Sequence, residues 1–288
     1  MSAEEAGSIL ILNSNMSTEK YALAQTEFKS RLEKRSNLAE VNLGEKEIDE
    51  AGIEKIIREK NPELIYCIGS KAYMMSNKLA KEKKTVFSSA INWRRLPMGR
   101  NTYGVSNELP AGMVLMTYRY FFPGLKKIGV LYNQNYNAEW LKNAEKDAKD
   151  VGIEIIAESV KNSNRLDSAL EELLPKVDVL WLISDPVVLS GPESTLNILQ
   201  KSDSMKKPVF AYNEIFSSYG ALLVIDADIP TMVEQASMMA LDLLSNKKIA
   251  ERVPSPAGSH IILNMKKVEE YGIELNKEAI GSVNKIIK

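Results

Sequence analysis

The 288 residues include a single cysteine and a single histidine, and each scarcity removes a class of chemistry. One cysteine, Cys67, excludes an internal disulfide and a multi-cysteine metal site. It lies in the apolar run Leu64-Ile65-Tyr66-Cys67-Ile68, where a buried structural thiol is expected rather than a nucleophile. The histidine, His260, falls in Ser259-His260-Ile261-Ile262-Leu263, and no Gly-x-Ser-x-Gly elbow accompanies it. A partly exposed strand histidine is expected there, not a triad base. No Gly-x-Gly-x-x-Gly follows a strand-like run, and no Gly-x-x-x-x-Gly-Lys-Ser/Thr occurs. Dinucleotide binding through that fingerprint and phosphate-loop hydrolysis are set aside, and no cofactor is expected.

Neither sign of charge is in excess: 37 basic residues stand against 38 acidic ones, a net charge of -1. A nucleic-acid binder relying on counterion release needs a basic bias, and none shows. The lysine-rich stretches, Lys81 to Lys84 and Lys206-Lys207, come just before strands and read as solvating helix C-termini. No apolar run approaches a membrane span, and the opening Met1-Ser2-Ala3-Glu4-Glu5 is unlike a secretory signal. The first strand is expected almost at once, at Ile9. That leaves a cytoplasmic protein, or a mature form whose export signal lies outside this sequence.

What is present is an ordinary globular composition, 44% apolar and 26% charged, on a chain long enough for two domains. Short apolar runs alternate with amphipathic ones. Ile9 to Leu12, Ala39 to Leu43, Leu64 to Ile68 and Thr85 to Ser88 read as strands. Between them Tyr21 to Lys34, Ile48 to Glu59 and Lys71 to Lys83 read as helices. This β-α-β-α-β-α-β order is the pattern of a parallel sheet covered on both faces.

The pattern then restarts. Leu109 to Phe121 reads as a helix stopped by Pro123-Gly124. Strands are expected at Ile128 to Tyr132, Ile153 to Ser159, Val177 to Ile183, Val209 to Tyr212 and Ala221 to Ile225. Helices are expected at Ala138 to Val151, Leu166 to Leu174 and Ser194 to Ser202. A helix at Thr231 to Ser245, a strand at Ser259 to Asn264 and a terminal helix from Asn276 follow. The fold class expected is therefore α/β, with two doubly wound parallel-sheet lobes.

In open parallel sheets, ligands bind at the carboxyl ends of the strands. In the first lobe those ends carry Asn13-Ser14-Asn15, Gly69-Ser70-Lys71 and Ser88-Ser89-Ala90-Ile91-Asn92-Trp93. In the second they carry Asn133-Gln134-Asn135, Ser184-Asp185-Pro186, Asn213-Glu214 and Asp226. The binding candidates are Ser14, Asn15, Ser70, Lys71, Ser89, Asn92, Trp93, Asn133, Asn135, Ser184, Asp185, Asn213, Glu214 and Asp226. Hydroxyls and amides there can fix a small polar ligand, and helix N-termini offer free N–H groups to an anionic part of it. Ser, Asn and Asp are also the preferred helix caps, so each residue alone fits either role. As a set facing one cleft between two lobes, they favour binding. Asp185, Glu214 and Asp226 could form an acid–base pair, yet they come from one lobe and no motif orders them. Asp185 reads better as the partner of a ligand ammonium.

Several segments carry a resemblance. Lys127-Ile128-Gly129-Val130-Leu131-Tyr132-Asn133 is similar to the lobe-opening strand of ABC transporter substrate-binding proteins, the family that includes tryptophan- and other amino-acid-binding lipoproteins. Pro62-Glu63-Leu64-Ile65-Tyr66-Cys67-Ile68-Gly69-Ser70 resembles that family's apolar strand ending in Gly-Thr or Gly-Ser. Asn101-Thr102-Tyr103-Gly104-Val105-Ser106 looks like its Asn-x-Thr-Gly-Val-Ser segment, with Tyr103 inserted. Lys207-Pro208-Val209-Phe210-Ala211 and Asn264-Met265-Lys266-Lys267 resemble its late strand and its Asn-Leu-Lys segment. Two departures bear on the ligand. Ile91-Asn92-Trp93-Arg94-Arg95 stands where the family often has Thr-Asp-Pro, and Ser184-Asp185-Pro186 where many members have Thr-Asp-Asn.

The resemblance implies a type I periplasmic-binding-protein fold, with an N-terminal lobe of about residues 1–106 plus 227–255 and a C-terminal lobe of 107–226 plus 256–288. It implies a monomeric, non-enzymatic protein that closes on a small molecule and presents the closed form to a membrane permease. Its place would be periplasmic or membrane-anchored outside the cell, with a signal segment not present in this chain. An amino acid is the leading ligand, its carboxylate held by Ser70, Ser89 and backbone N–H groups and its ammonium by Asp185. If Trp93 faces the cleft it offers a plate for an aromatic or planar ligand; if it packs on the rim it says nothing. A ligand sensor for a regulator and a two-lobed transferase share this architecture, although no helix-turn-helix fits before Ile9.

Overall fold

A computed structural model describes residues 7–44 and 49–288. Ile48, expected to open the second helix, lies outside the described residues, as does the opening segment Met1 to Glu5. The chain divides into two compact units, Met1–Glu108 with Ala227–Gly258, and Leu109–Asp226 with Ser259–Lys288.

The first unit starts with β1 (Gly7–Asn13), α1 (Glu19–Leu32), β2 (Ser36–Asn42), α2 (Glu50–Lys60), β3 (Leu64–Ile68), α3 (Ser70–Leu79), β4 (Lys84–Ser88) and β5 (Thr102–Gly104). The second continues with α4 (Ala111–Phe121), β6 (Lys127–Tyr132), α5 (Gln134–Asp150), β7 (Glu154–Ser159), α6 (Leu166–Leu173), β8 (Val179–Trp181), α7 (Pro192–Ser204), β9 (Val209–Ala211) and β10 (Leu223–Ala227). Then α8 (Ile229–Leu244) packs in the first unit, and β11 (Ser259–Asn264), α9 (Met265–Tyr271) and β12 (Lys285–Ile287) belong to the second.

The first sheet has the order β2-β1-β3-β4-β5, with parallel pairing throughout. Its inner strands β1, β3 and β4 bury both faces over most of their length, so their centres read as continuous apolar runs instead of alternating ones. Alternation survives in where each side chain goes. Ile9, Ile11, Tyr66 and Ile68 pack with Ala24 and Phe28 of α1 and Met232, Val233 and Ala236 of α8. Their neighbours Leu10, Leu12, Ile65 and Cys67 pack with Ile53 and Ile57 of α2 and Ala72 and Tyr73 of α3. The period of two thus sorts one apolar strand into two cores. Each fully buried Leu, Ile or Phe in them contributes about 1.5–3 kcal/mol. Cys67 is fully buried in the second of these cores, and burial pushes its thiol up to about 12, which makes it inert as a nucleophile.

The second sheet has the order β12-β11-β10-β9-β8-β6-β7. Ile128, Val130 and Trp181 join Leu115, Tyr118 and Phe121 of α4 on one face. Leu131, Leu180 and Leu182 join Leu166 and Leu170 of α6 and Ile198 of α7 on the other. His260 is a partly exposed strand residue. The lysine stretches do reach helix C-termini: Lys84 Nζ donates to Leu243 O, 2.8 Å, in the last turn of α8, and Lys207 Nζ to Val177 O, 2.7 Å, which closes the 3-10 turn Leu174–Lys176.

Three expectations are corrected. The terminal helix from Asn276 is a short 3-10 turn, Lys277–Ser282, followed by β12. Asn276 does open a helical turn, accepting from Glu278 N at 3.1 Å. Asn284 then bonds Ile261 through its own backbone N–H, 2.9 Å, and through Oδ1, 2.8 Å, which draws the chain alongside β11 instead. The helix at Lys71 to Lys83 ends at Leu79, because Ala80 leaves helical geometry with φ -143°. The strand at Val177 to Ile183 is reduced to β8, with its flanks still buried. Beyond these, β5 and α9 are additions, too short for apolar periodicity to reveal.

Candidate functional site

Each sheet reverses its strand order once: between β1 and β3 in the first unit, and between β6 and β8 in the second. Such switch points are where open α/β sheets leave room for a ligand outside the carboxyl ends. The loops leaving β1, β3, β6 and β8 carry Ser14, Ser70, Asn133 and Asp185.

In the first unit, Gly69 ends β3 with φ +85° and caps α3 without a side chain. A β-carbon there would lie 2.7 Å from Ser14 Oγ and 2.8 Å from the Tyr21 ring, so glycine is required on both counts. The missing cap comes from across the switch point: Ala72 N donates to Ser14 Oγ at 2.9 Å. That bond uses an acceptor lone pair of Ser14 and leaves its O–H hydrogen to donate. Asn15 Oδ1 accepts from Ser17 N, 3.0 Å, and shapes its own loop. Lys71, exposed, donates through Nζ to Leu43 O. Ser70 Oγ is bonded to both the N–H and the C=O of Ile91, at 3.0 and 3.3 Å, so the start of α3 is tied to the loop after β4.

That loop is the most strained stretch of the unit. Ser89 and Asn92 both have left-handed backbones, with φ of 56° and 54°. For non-glycine residues this conformation is sparsely populated and concentrates at functional sites. Ser89 is 3% exposed, and its hydroxyl has no hydrogen-bond partner among the described residues. A buried hydroxyl in that state carries an uncompensated desolvation cost. Trp93 is half-buried, and its indole N–H is already spent on Ser106 Oγ at 3.1 Å. One face of the ring carries the Arg94 guanidinium, 4.7 Å from the centroid, and the Phe87 ring lies 6.2 Å away. Arg94 also pairs with Glu108 at 2.6 Å. Burial pushes the Glu108 carboxyl above its ordinary value, and the Arg94 and Arg95 charges draw it part of the way back.

The second unit is organised around one carboxylate. Asp185, 2% exposed, accepts from Asn133 N, 2.7 Å, and Asn137 Nδ2, 2.6 Å, on one oxygen. Its other oxygen accepts from Val187 N and Val188 N, at 2.9 and 3.0 Å. With four N–H donors on its two oxygens, the buried charge is answered inside the protein. Through these bonds the carboxylate ties the β6 and β8 loops together across the switch point. Asn137, which supplies one of those donors, is a site residue that sequence reasoning passed over, because it lies inside α5 and not in a loop.

Asn133 caps α5 through Oδ1, accepting from Asn135 N at 3.0 Å, and donates through Nδ2 to Val160 O at 2.7 Å. Asn213 caps the 3-10 turn Glu214–Tyr219, accepting from Ile215 N at 3.1 Å. Both therefore act as caps. Ser184 sits beside Asp185, its carbonyl 3.5 Å from Asn137 Nδ2. Asp226, buried in the last part of β10, accepts from Glu214 N at 3.1 Å, and Glu214 itself pairs with Lys285 at 2.8 Å. Each unit thus gathers its own candidates at the carboxyl end of its own sheet. Among the described residues no cluster of His, Cys, Asp and Glu could hold a metal ion, and no helix is long and apolar enough to cross a membrane.

Comparison with known proteins places this geometry. A stretch of 155 residues is 28% identical to a tyrosine-binding protein of Clostridioides difficile strain R20291, covering 53% of this chain. The match spans less than half of that relative, 44% of its length. The ligand-free, open structure of CD0873, a substrate binding protein with adhesive properties from Clostridium difficile, superposes with a TM-score of 0.77 at 18% identity, over 98% of this chain and 99% of that one. The ABC domain in complex with L-Trp from Streptococcus pneumonia superposes with a TM-score of 0.64 at 19% identity, over 97% and 100%. These likenesses show two α/β lobes of the type I periplasmic-binding-protein kind. Residues 22–286 match the family described as ABC transporter substrate binding protein, and the chain belongs to that family.

Proposed function

We propose that this protein is the extracytoplasmic solute-binding component of an ABC importer and that its ligand is an aromatic amino acid. The family match over residues 22–286 carries the first half of this reading. The second half is supported by the tyrosine-binding relative and by the relative in complex with L-Trp. The protein acts as a monomer, binds without transforming the ligand, and hands it to a membrane permease.

Within the first unit, Ser89 Oγ and the first N–H groups of α3, which have no intrahelical partner, receive the ligand carboxylate. Within the second unit, Glu214 and Asp226 are the strand-end carboxylates available to a ligand ammonium alongside the partners they already hold. Thermal denaturation against a panel of amino acids tests this. A ligand present at 100 times its Kd adds about 2.7 kcal/mol of stability. L-Tyr or L-Trp should raise the midpoint by several degrees, and mass spectrometry should recover the ligand unchanged. A panel in which sugars or peptides stabilise and amino acids do not would falsify the assignment.

A further inference from the structure

Tyr21 stands in the first turn of α1 and is not one of the strand-end candidates, yet the chain fixes it at the switch point of the first sheet. Asn13, fully buried at the end of β1, donates from Nδ2 to Tyr21 O at 3.1 Å and pins that turn to the strand. The ring packs against the core shared by α1 and α8. Its phenol end reaches Gly69: a β-carbon there would lie 2.8 Å from Cζ of Tyr21 and 3.0 Å from its hydroxyl oxygen. The hydroxyl therefore sits at the residue that caps α3, and it has no hydrogen-bond partner among the described residues. Phenylalanine would pack on the core equally well, so packing does not account for the oxygen.

The surroundings supply donors and leave them unspent. Tyr73 N makes the first bond back to the cap, to Gly69 O, and Ala72 N is taken by Ser14 Oγ, so the N–H groups of Ser70 and Lys71 remain at the positive end of the helix. Ser14, 6% exposed, gives its oxygen to that bond and keeps its hydrogen. Ser89 follows Ser88, whose carbonyl accepts from Gly69 N at 2.9 Å, and its buried hydroxyl has no partner. Ser14 and Ser89 are covered, whereas Tyr21 and Ser70 are partly exposed and Lys71 is exposed, so these last three are open to a ligand. Burial pushes the Tyr21 phenol above its ordinary value and keeps it a neutral donor.

We infer that Tyr21 is a ligand-binding residue, its hydroxyl donating to the ligand carboxylate at the start of α3 beside the N–H groups of Ser70 and Lys71. This rests on the proposed carboxylate-bearing ligand and adds the side chain that selects it. A carboxylate only accepts hydrogen bonds, and can take all three of these donors at once. A bare amine accepts none of them, so Tyr21 discriminates between an amino acid and its decarboxylated amine.

Two titrations of the wild type and Tyr21→Phe test this. In two-dimensional NMR, sodium acetate should shift the Ser70 and Lys71 amides of the wild type, sodium chloride at equal ionic strength should not, and the variant should bind acetate at least about threefold more weakly. In calorimetry, the variant should bind L-Trp about tenfold more weakly and tryptamine as the wild type does, with an unchanged melting midpoint for the free protein. Acetate binding that depends on Tyr21, with no heat from any aromatic amino acid, would uphold the role of Tyr21 and remove the proposed ligand. L-Trp binding equally tightly to both proteins would keep the ligand and overturn the role of Tyr21. Equal losses for L-Trp and tryptamine, or no acetate response at Ser70 and Lys71, would overturn it as well.

Discussion

Ser89 and Asp185 show how differently two buried polar residues at strand ends can be used. Ser89 holds a left-handed angle and a hydroxyl without a partner, both of which disfavour the ligand-free protein. Ser89→Ala should therefore leave stability unchanged or raise it by about 1 kcal/mol in chemical denaturation, while ligand affinity falls about tenfold. A loss of stability with full affinity would make Ser89 structural. Asp185 is the reverse. Its four donors leave nowhere for an amide NH₂ to point, so Asp185→Asn puts N–H against N–H and should cost about 2–3 kcal/mol in urea unfolding. The sequence reveals that Asp185 is a polar residue at a strand end. It cannot reveal which side the carboxylate serves, because Asn137, Val187 and Val188 reach it only once the loop has closed. Trp93 is tied through its indole N–H to Ser106, 13 residues away, and carries Arg94 on one ring face, contacts that the residue's own neighbourhood in the sequence does not announce.

At the scale of elements, legibility followed length. The strand at Leu64–Ile68 and the helix at Ala111–Phe121 declare themselves through apolar runs and periodic spacing. The three-residue β5 exists because Thr102 pairs with Thr85 and Tyr103 with Val86, a register that no window over residues 102–104 contains. Likewise α9 has only seven residues. It is held by its Asn264 cap and by Lys267 and Tyr271, which both donate to Asp203 in the last turn of α7. Those two hydrogen bonds, Lys267 first, hold the Asp203 carboxyl below its ordinary value. A lowered folded value means stabilisation that is present above the ordinary carboxylate range and is lost as pH falls through the folded value. Asp203→Asn should lower stability at neutral pH by no more than about 0.5 kcal/mol, since the side chain is 47% exposed, and the difference from wild type should vanish in acid. Unfolding curves at several pH values measure it. A difference that persists below the carboxylate range would show that charge is not its source.

For the whole molecule, two sheets of the same kind each place their polar loops at a switch point, and each bridges that point internally: Ser14 to Ala72 in one unit, Asp185 to Asn133 in the other. These bridges fix the shape of the loops at each sheet's carboxyl end, and loops already ordered lower the cost of binding anything there. The α/β class and the alternation of elements were legible because parallel strands are continuous apolar runs; the family was legible only from several weak segments taken in order. Calorimetry tests the aromatic amino acid most directly. L-Tyr or L-Trp titrated into the purified chain should release heat and saturate tightly, at near-micromolar concentration or below, about -8 kcal/mol or stronger. An absence of heat from every aromatic amino acid, with tight binding of a metabolite of another class, would contradict it.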